Sequence, residues 1–346
     1  MINLQIRIYH KSSGLLLEEV TNCISSLEFE TQVNGGFYQC SFSVGLAPGR
    51  AWEWYVSRHF ARVAIHEGMT LIWEGRVEDI TLRPGGVDVT ALGYWSSLDD
   101  DAYFGALSFS TRDQMVTILQ NVTSDISTDY SMIQQTGFTP SPAPTFASRK
   151  AMDMILTLAS YGNNTGTPWY LAVWNDRRLF FGPRAASGVN WRMRLEYCAD
   201  VRGPGLMRSV RNLTNRYYNF SGTVLVQDAN SQARYKLRSA VKDISGAQAS
   251  AAMTLQNDLP LSAAIMLSSI DDANGAPAPL HRVRAGQVLR IDSMAPPGVQ
   301  LSSTELDALT TFYIKRTRYD ADKNELSIWP DQAAIELVTE IARVEE

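Results

Sequence analysis

Paired carboxylates are the first residues in this sequence whose types and spacing could do chemistry. Glu28 lies close to Glu30, and Glu78 precedes Asp79. Two carboxyl groups that flank an open cleft can hydrolyse glycosides. No pattern in the sequence places either pair at a cleft, and exposed strand residues explain both pairs better. We therefore predict no catalytic residue and no enzymatic activity.

Metal ligation is the second chemistry that the residue types suggest. Asp99, Asp100 and Asp101 form a cluster of carboxylates, which hard cations such as Ca²⁺ prefer. The spacing of a calcium loop is missing, and His66-Glu67 is not followed by the second histidine of a zinc-protease helix. A solvated loop is the better interpretation of the aspartates, so we predict no metal site and no cofactor.

Cysteine and tryptophan are also residues with chemical uses. Cys23, Cys40 and Cys198 are odd in number and widely spaced, which argues against a disulfide framework. We expect them to be free and buried. The eight tryptophans could stack on sugars or anchor an interface. Trp52 and Trp54 would share one face of an extended strand, but core packing is the expected role of most tryptophans, with a ligand or partner role for one or two.

The composition is that of a folded protein with two or three domains. The chain has 346 residues, of which 45% are hydrophobic and 19% are charged. Its formal net charge of −5 gives no general attraction for nucleic acid or anionic lipid, so we expect no stable binding to either. No apolar run is long enough to span a membrane, and no targeting segment opens the sequence, so we expect synthesis in the cytoplasm without a signal peptide.

Arginine greatly outnumbers lysine, at 25 residues against 6. The arginines are concentrated between residues 111 and 215, where the balance of charge is positive, whereas both flanking thirds are acidic. Because arginine is favoured in protein interfaces, this excess is consistent with large partner surfaces. A bias of the genome toward arginine codons explains it equally well.

The pattern of apolar residues predicts a mainly β fold, of barrel or sandwich domains, with a few inserted α-helices. Period-two alternation predicts strands in the first and last thirds, separated by turns such as Asn34-Gly35-Gly36. The predicted strands are 4–9, 24–30, 37–44, 60–66, 70–77, 87–92, a hairpin within 168–197, 217–227, 234–241, 261–268, 287–291, 312–319 and 326–329. The predicted helices start at Thr111, Ser148 and Ser245, and a fourth follows Pro330 through Leu337, Ile341 and Val344.

These elements predict three domains. Residues 1–100 form a first β domain, residues 101–215 form a mixed α/β middle domain, and residues 216–346 form a second β domain with an inserted helix.

Two stretches of the sequence resemble bacteriophage tail hub proteins of the baseplate or tail-tip class. The first runs from Ile24 to Tyr94 and includes the strand Trp73-Glu74-Gly75-Arg76-Val77. The second includes Asp228-Ala229-Asn230-Ser231, Val283-Arg284-Ala285-Gly286-Gln287 and the closing hairpin from Phe312 to Trp329. The sequence Tyr235-Lys236 departs from the Tyr-Gly that the class has at that position.

The resemblance implies a structural protein of the virion. Hub proteins of this class form trimers, in which two β-barrels per chain build a ring of quasi-sixfold symmetry. The ring joins the tail tube or distal tail protein to the tail tip, spike or fibre proteins. Phage DNA would pass through it transiently, without specific binding, and acidic residues in the lumen would keep the DNA from adhering.

Two other functions remain open from the sequence. A distal tail protein also has a β-rich ring-forming domain, but assembles as a hexamer. A carbohydrate-binding module would use exposed tryptophan to hold host glycans. A cell-wall hydrolase ranks below both, since no segment resembles such an enzyme.

Overall fold

The computed structural model describes residues 4–106, 110–134, 138–140, 144–161, 169–183, 188–194, 201–202, 213–254, 265–292 and 311–330. These residues are mainly in strands, with a few inserted helices, so the predicted fold class is confirmed. No helix in these ranges is long and apolar enough to cross a membrane.

The described ranges contain twenty strands and five α-helices. The strands are β1 (Leu4–Tyr9), β2 (Leu16–Glu19), β3 (Ile24–Gln32), β4 (Gly35–Gly45), β5 (Arg62–Glu67), β6 (Thr70–Arg83), β7 (Gly86–Leu92), β8 (Trp169–Val173), β9 (Leu179–Pro183), β10 (Trp191–Arg194), β11 (Val201–Arg202), β12 (Arg216–Tyr218), β13 (Val224–Gln227), β14 (Ser239–Val241), β15 (Ile265–Leu267), β16 (Ile270–Asp272), β17 (Pro277–Ala278), β18 (Val288–Asp292), β19 (Thr311–Asp320) and β20 (Glu325–Pro330). The α-helices are α1 (Pro48–Ser57), α2 (Thr111–Asn121), α3 (Ala151–Tyr161), α4 (Ala229–Tyr235) and α5 (Gly246–Thr254).

The first seven strands form what we call the N-terminal unit. Neighbouring strands pair in the order β3-β4-β7-β6-β5-β1-β2, and every pair is antiparallel. Side chains alternate along each strand, so one face of the sheet is buried, as Leu4, Ile6 and Ile8 of β1 are. Trp54 of α1 and Trp73 of β6 are fully buried in the same core.

Eight later strands form the C-terminal unit. Their order is β11-β15-β20-β19-β18-β10-β16-β17. Two of them, β10 and β11, precede residue 215, and the other six follow it. Strand pairing therefore crosses the predicted boundary at residue 215, and the division into three domains stays a prediction.

A separate core lies between the two units in sequence. Apolar residues of α2 and α3, including Met115 and Met154, pack with β8 and β9. Strand β8 pairs in parallel with the start of β4, where Gly36 lies opposite Val173. Gly36 has a φ of +84°, and a Cβ atom there would lie 2.3 Å from the Val173 carbonyl oxygen. Only glycine therefore lets the two strands approach at this point.

The small sheet β13-β12-β14 packs with α5 around Tyr217 and Ala249. Helix α4 precedes β14 and ends at Tyr235, and the next residue, Lys236, has a φ of +62° and a ψ of 174°. This backbone conformation is close to glycine-only, because a Cβ atom clashes with the local backbone. The departure from Tyr-Gly at this position therefore places a lysine in a strained conformation.

Replacing Lys236 with glycine is expected to stabilise the protein. The substitution relieves the strain at a positive φ, which outweighs the extra freedom of glycine in the unfolded chain, for a net gain of about 1 kcal/mol. Chemical denaturation monitored by fluorescence measures the change. As a control, Lys242→Gly changes a half-buried lysine of the same region and is expected to be neutral or destabilising. A lower unfolding free energy for Lys236→Gly would contradict the prediction.

Most predicted elements are confirmed, including the strands of the first hundred residues, both middle helices and the closing hairpin. Helix α2 is capped by Ser110 rather than Thr111, since the Ser110 hydroxyl oxygen accepts a bond from the Asp113 amide at 3.2 Å. Thr111 is instead buried and donates to the Phe138 carbonyl at 3.3 Å.

Two predicted strands were wrong in part, and the stretch that contains Trp52 and Trp54 is not extended. The two tryptophans lie on α1 and point to different sides, with Trp52 exposed and Trp54 buried. The predicted strand 217–227 is a hairpin of β12 and β13, because Gly222 with its positive φ reverses the chain. The first residues of the predicted strand 234–241 belong to α4. The predicted terminal helix and Cys198 lie outside the described residues.

Candidate functional site

The two units share one strand order. In the N-terminal unit the order β3-β4-β7-β6-β5-β1 corresponds strand by strand to β11-β15-β20-β19-β18-β10 in the C-terminal unit. The final pairs differ in direction, because β1 is antiparallel to β5 whereas β10 is parallel to β18. The chain thus contains a structural duplication that its sequence does not reveal.

Irregularities of the backbone recur at the same place in both units. The β6–β7 hairpin has a bulge between Val77 and Asp79, and the β19–β20 hairpin has one between Ile314 and Arg316. Bulges are built features of a fold, so their shared position aligns the two hairpins residue by residue. Val77 therefore corresponds to Ile314, and the strand Asp79–Arg83 corresponds to Arg316–Asp320.

Hydrogen bonds at the bulge support this alignment. The Val77 amide donates to the Ala61 carbonyl at 2.9 Å, and the Val77 carbonyl accepts from the Phe60 amide at 2.8 Å. In the C-terminal unit, Ile314 makes the same two bonds with Gln287 and Gly286, at 2.9 and 2.7 Å. Phe60 and Gly286 also share a positive φ, of 63° and 84°.

The two units are joined by antiparallel pairing of β3 with β19, a contact we call the seam. The paired residues run from Glu28 opposite Asp320 to Gln32 opposite Arg316. At its centre the hydroxyls of Thr31 and Thr317 are buried and 2.6 Å apart.

On the face of the seam that points to the core, two aromatic rings pack together and a further hydrogen bond is formed. The rings of Phe29 and Tyr319 are 5.2 Å apart. The Ala285 amide donates to the Thr31 hydroxyl at 2.9 Å, so the buried threonine pair is also tied to the chain leading into β18. Buried hydroxyls with partners on both strands hold the register of the seam.

The outer face of the seam carries a ladder of opposite charges. Glu30 accepts two hydrogen bonds from the Arg316 guanidinium, at 2.6 and 3.1 Å, and Glu28 accepts two from Arg318. The hydrogen bonds that Arg318 donates to Glu28 raise the pKa of Arg318, so the guanidinium stays charged. The carboxylate pair Glu28 and Glu30, considered above for glycoside hydrolysis, thus has a structural role in the seam.

Arg284 clamps the C-terminal unit onto the N-terminal unit beside the seam. Its guanidinium lies over the rings of Phe37 and Trp174, at 5.0 and 5.6 Å from their centres. One of its nitrogens donates to the carbonyls of Leu71 and Ile72, at 2.8 and 3.3 Å. Burial lowers the pKa of Arg284, and the carbonyls and aromatic rings take the place of the water that the cation loses.

Truncating Arg284 to alanine is expected to destabilise the folded chain by about 3 kcal/mol. The change removes a partly buried side chain, two cation–π contacts and the hydrogen bonds to strand β6. Thermal and urea unfolding measure the loss. Arg282→Ala is the control, because Arg282 is half-exposed and its ion pair with Glu67 contributes no more than about 1 kcal/mol. Equal effects of the two substitutions would contradict the role assigned to Arg284.

A second charged contact joins the units at Glu67. Its Oε2 atom lies 2.7 Å from Nε of Arg282 and 3.2 Å from Nε2 of His281, which is buried against the Tyr319 ring. Burial lowers the pKa of His281, although Glu67 opposes the effect. Burial would raise the pKa of Glu67, but its bonds to Arg282 and His281 outweigh this and lower it.

This contact makes stability depend on pH through His281. As the pH falls below 6.5, the ordinary pKa of histidine, the unfolded chain takes up a proton before the folded chain does. The stability contributed by neutral His281 is therefore present above pH 6.5 and is lost below it. We expect Tm to fall between pH 7 and about pH 5, and His281→Gln to flatten this fall when Tm is followed by calorimetry. His10→Gln, at an exposed histidine, is the control. An unchanged slope in His281→Gln would contradict the prediction.

Buried charges also join the N-terminal unit to the helical region. Arg76 is buried and donates to both oxygens of Asp100, at 2.6 and 3.0 Å. Asp101 accepts backbone hydrogen bonds from Thr123 and Ala102, which lower its pKa. Asp99 Oδ1 lies 3.9 Å from Lys150 Nζ, so all three aspartates considered for calcium have protein partners. No cluster that could hold a metal ion occurs in the part of the chain that the structure describes.

A buried carboxylate lies near this junction. Glu74 of β6 is 1% exposed, and its Oε2 atom is 2.8 Å from the Arg62 guanidinium. Burial raises the pKa of Glu74, which Arg62 and Arg177 oppose. The Arg177 guanidinium lies over the Tyr94 ring at 4.3 Å. The burial of Glu74 was not predicted from the sequence. A carboxylate on a buried strand face is distinguished from an exposed one only by the arginines around it, and the sequence does not place them.

A groove of about 700 Å³ opens where the two units and the helical region meet. Its walls include Tyr38, Trp95, Met152 and Trp329. Arg316 lies over the Trp329 ring at 5.0 Å, so a cation of the chain itself occupies one face of that ring. The tryptophans predicted to pack in the core mostly do so; Trp52 of α1 is 58% exposed.

Comparison with known proteins gives a match in structure and none in sequence. No protein-family model and no curated protein matches the chain. The tail protein from Neisseria meningitidis MC58 superposes with a TM-score of 0.60 at 9% identity, over 96% of both chains. The chain has the fold of bacteriophage tail proteins.

Two further tail proteins share this fold over nearly their whole length. The 43 kDa tail protein of prophage MuSo2 from Shewanella oneidensis has a TM-score of 0.60 at 10% identity, over 95% of this chain and 98% of the other. The prophage tail protein gp18 from Listeria monocytogenes EGD-e has a TM-score of 0.55 at 14% identity, over 98% and 99%. The tail-protein fold thus includes both units and the helical region between them.

Proposed function

We propose that this chain is the hub of a bacteriophage tail, a structural protein of the virion that joins the end of the tail tube to the tail tip. The observation that supports this most directly is the duplication of the strand order in two units joined edge to edge by the seam. Three solved structures with this fold are tail proteins, two of them from prophages. The protein acts through its surfaces and not by catalysis.

A trimer fits this architecture best. Three copies, each with two corresponding units, supply six units for a ring that can dock under a sixfold tail tube. The contacts between copies are then heterologous, which gives a closed ring when the rotation is one third of a turn. A hexamer of this chain would hold twice as many units as the trimer, which is more than a sixfold ring needs. The distal tail protein, which assembles as a hexamer, is therefore the second candidate.

One face of the N-terminal sheet suits the wall of a DNA conduit. Most residues of β3, β4 and β7 that point away from the core are polar, and include Glu28, Glu30, Ser43 and Asp88. These carboxylates pair with Arg316, Arg318 and Arg83. Because the arginines of this face are neutralised, it offers little positive charge to the phosphates of DNA, and DNA passes such a wall without binding. The ring ends would contact the tail tube or distal tail protein on one side, and tip, spike or fibre proteins on the other.

The mass of the purified protein in solution tests this function. Light scattering is expected to give three times the 38.5 kDa of one chain, and electron microscopy a ring with six densities around a central hole. A hexamer would support the distal tail protein instead. A chain that stays monomeric with every candidate tail partner would contradict the hub, and would favour the carbohydrate-binding module.

A further inference from the structure

Residues 213–254 form what we call the small unit, which contains the sheet β13-β12-β14 and helices α4 and α5. The core between this sheet and α5 is separate from the cores of the two larger units and of the helical region, and its buried side chains are those of Tyr217 and Ala249. A small sheet covered by one helix buries little apolar surface. Covering its second face would therefore stabilise the small unit.

The face of this sheet that points away from α5 carries an apolar row. The register places Val224 and Val241 on either side of Tyr218, one residue from each strand. Tyr217 lies on the opposite face, in the core with α5. Val224 is 43% exposed and Val241 is 56% exposed. We call Val224, Tyr218 and Val241 the open row, because no helix or strand in the described part of the small unit covers the two valines.

Further apolar side chains and both sheet edges are also accessible. Phe220, at the tip of the β12–β13 hairpin, is 76% exposed, and Leu237, just before β14, is exposed as well. Among the described residues, β13 and β14 pair only with β12. Exposed apolar side chains grouped in one small unit mark a surface that a partner covers.

The small unit is basic although the chain as a whole is acidic. It contains five basic and two acidic residues, whereas the net charge of the chain is −5. The exposed residues Lys236 and Arg238 precede β14, and Lys242 follows it. One of the two carboxylates, Asp228, is occupied as the N-cap of α4, where it accepts from the Ser231 amide at 2.9 Å. A surface that complements this charge carries carboxylates.

We propose that the open row of the small unit binds a neighbouring tail protein whose contact surface is apolar and rimmed by carboxylates. The proposal rests on the proposed function, in which the hub joins proteins on both of its sides. It assigns one of those contacts to the small unit and states the chemistry of the partner.

A protein fits this surface better than DNA does. Phosphates are bound by cations and polar groups, whereas the open row offers two valines and a tyrosine whose hydroxyl is held by the Arg216 guanidinium at 3.1 Å. Burying the valines is favourable only against other apolar groups. An apolar centre with a charged rim is the arrangement found in interfaces between proteins.

The test measures binding of the chain to the purified tail-tube and tail-tip proteins of the same phage by calorimetry. We expect the wild type to bind one of them through the small unit. The double substitution Val224→Asp and Val241→Asp places two carboxylates in the open row, facing an apolar and acidic partner, so the affinity is expected to fall at least about 100-fold. The matched control is Leu15→Asp with Leu16→Asp, at two exposed leucines of the N-terminal unit, which is expected to keep the wild-type affinity.

A milder pair of substitutions separates loss of the surface from loss of the fold. Val224→Thr with Val241→Thr keeps the branched shape and the strand preference of both residues. We expect the Tm to stay close to that of the wild type, while the affinity falls about 10-fold because two apolar contacts are lost.

The charged rim is tested by Arg238→Glu. We expect a lower affinity and a weaker dependence of the affinity on salt, because an attraction to the carboxylates of the partner is lost. Lys11→Glu changes an exposed cation of the N-terminal unit and is expected to leave both unchanged.

The outcomes separate this proposal from the proposed function. Loss of binding in both valine variants, with normal binding by the leucine control, supports the proposal. Valine variants that bind both tail proteins as the wild type does overturn the proposal and leave the hub intact. A wild type that binds neither protein overturns both. Loss of self-association in the valine variants would assign the face to a contact between copies, and loss of duplex DNA binding in Arg238→Glu would assign it to nucleic acid; either result overturns the proposal.

Discussion

Edge-to-edge pairing of β3 with β19 is the contact on which the arrangement of both units depends. It joins residues near the two ends of the chain, and its centre is the hydroxyl pair of Thr31 and Thr317, 2.6 Å apart and buried. Burying a hydroxyl without a partner costs about 1–3 kcal/mol. Each threonine supplies a partner for the other, so a shift of the register would break their hydrogen bond in a buried place. The seam therefore specifies one relative position of the units.

Charged groups reinforce the seam from both sides, and they do so in different ways. On the outer face Arg316 and Arg318 pair with carboxylates where water is near, which contributes more to specificity than to stability. Arg284 lies inside the junction, where carbonyls and aromatic rings take the place of water. A buried cation without such partners is costly, so Arg284 favours the one docking geometry that provides them.

The strands were predictable from the sequence because one face of each strand is buried, and this imposes alternation on residues that are adjacent in the chain. Helix α1 was not predicted from the sequence, because Trp52 and Trp54 fit the alternation of a strand. Pro48 nevertheless begins a helix there. The seam was beyond sequence reasoning, because residues 28–32 and 316–320 are related only by the fold. The duplication is equally hidden. Equivalent positions share backbone conformation or burial and not residue type, as Phe60 with Gly286 and Asp79 with Arg316 show.

The span of the seam along the chain has a consequence for synthesis. Strand β3 leaves the ribosome well before residues 316–320, which complete its second edge. During translation the N-terminal unit therefore exposes an unpaired strand, the kind of edge through which nascent chains aggregate. Glu28 and Glu30 lie on this strand, and two such strands would repel each other. The same carboxylates that bind arginine in the finished protein thus protect the unfinished one.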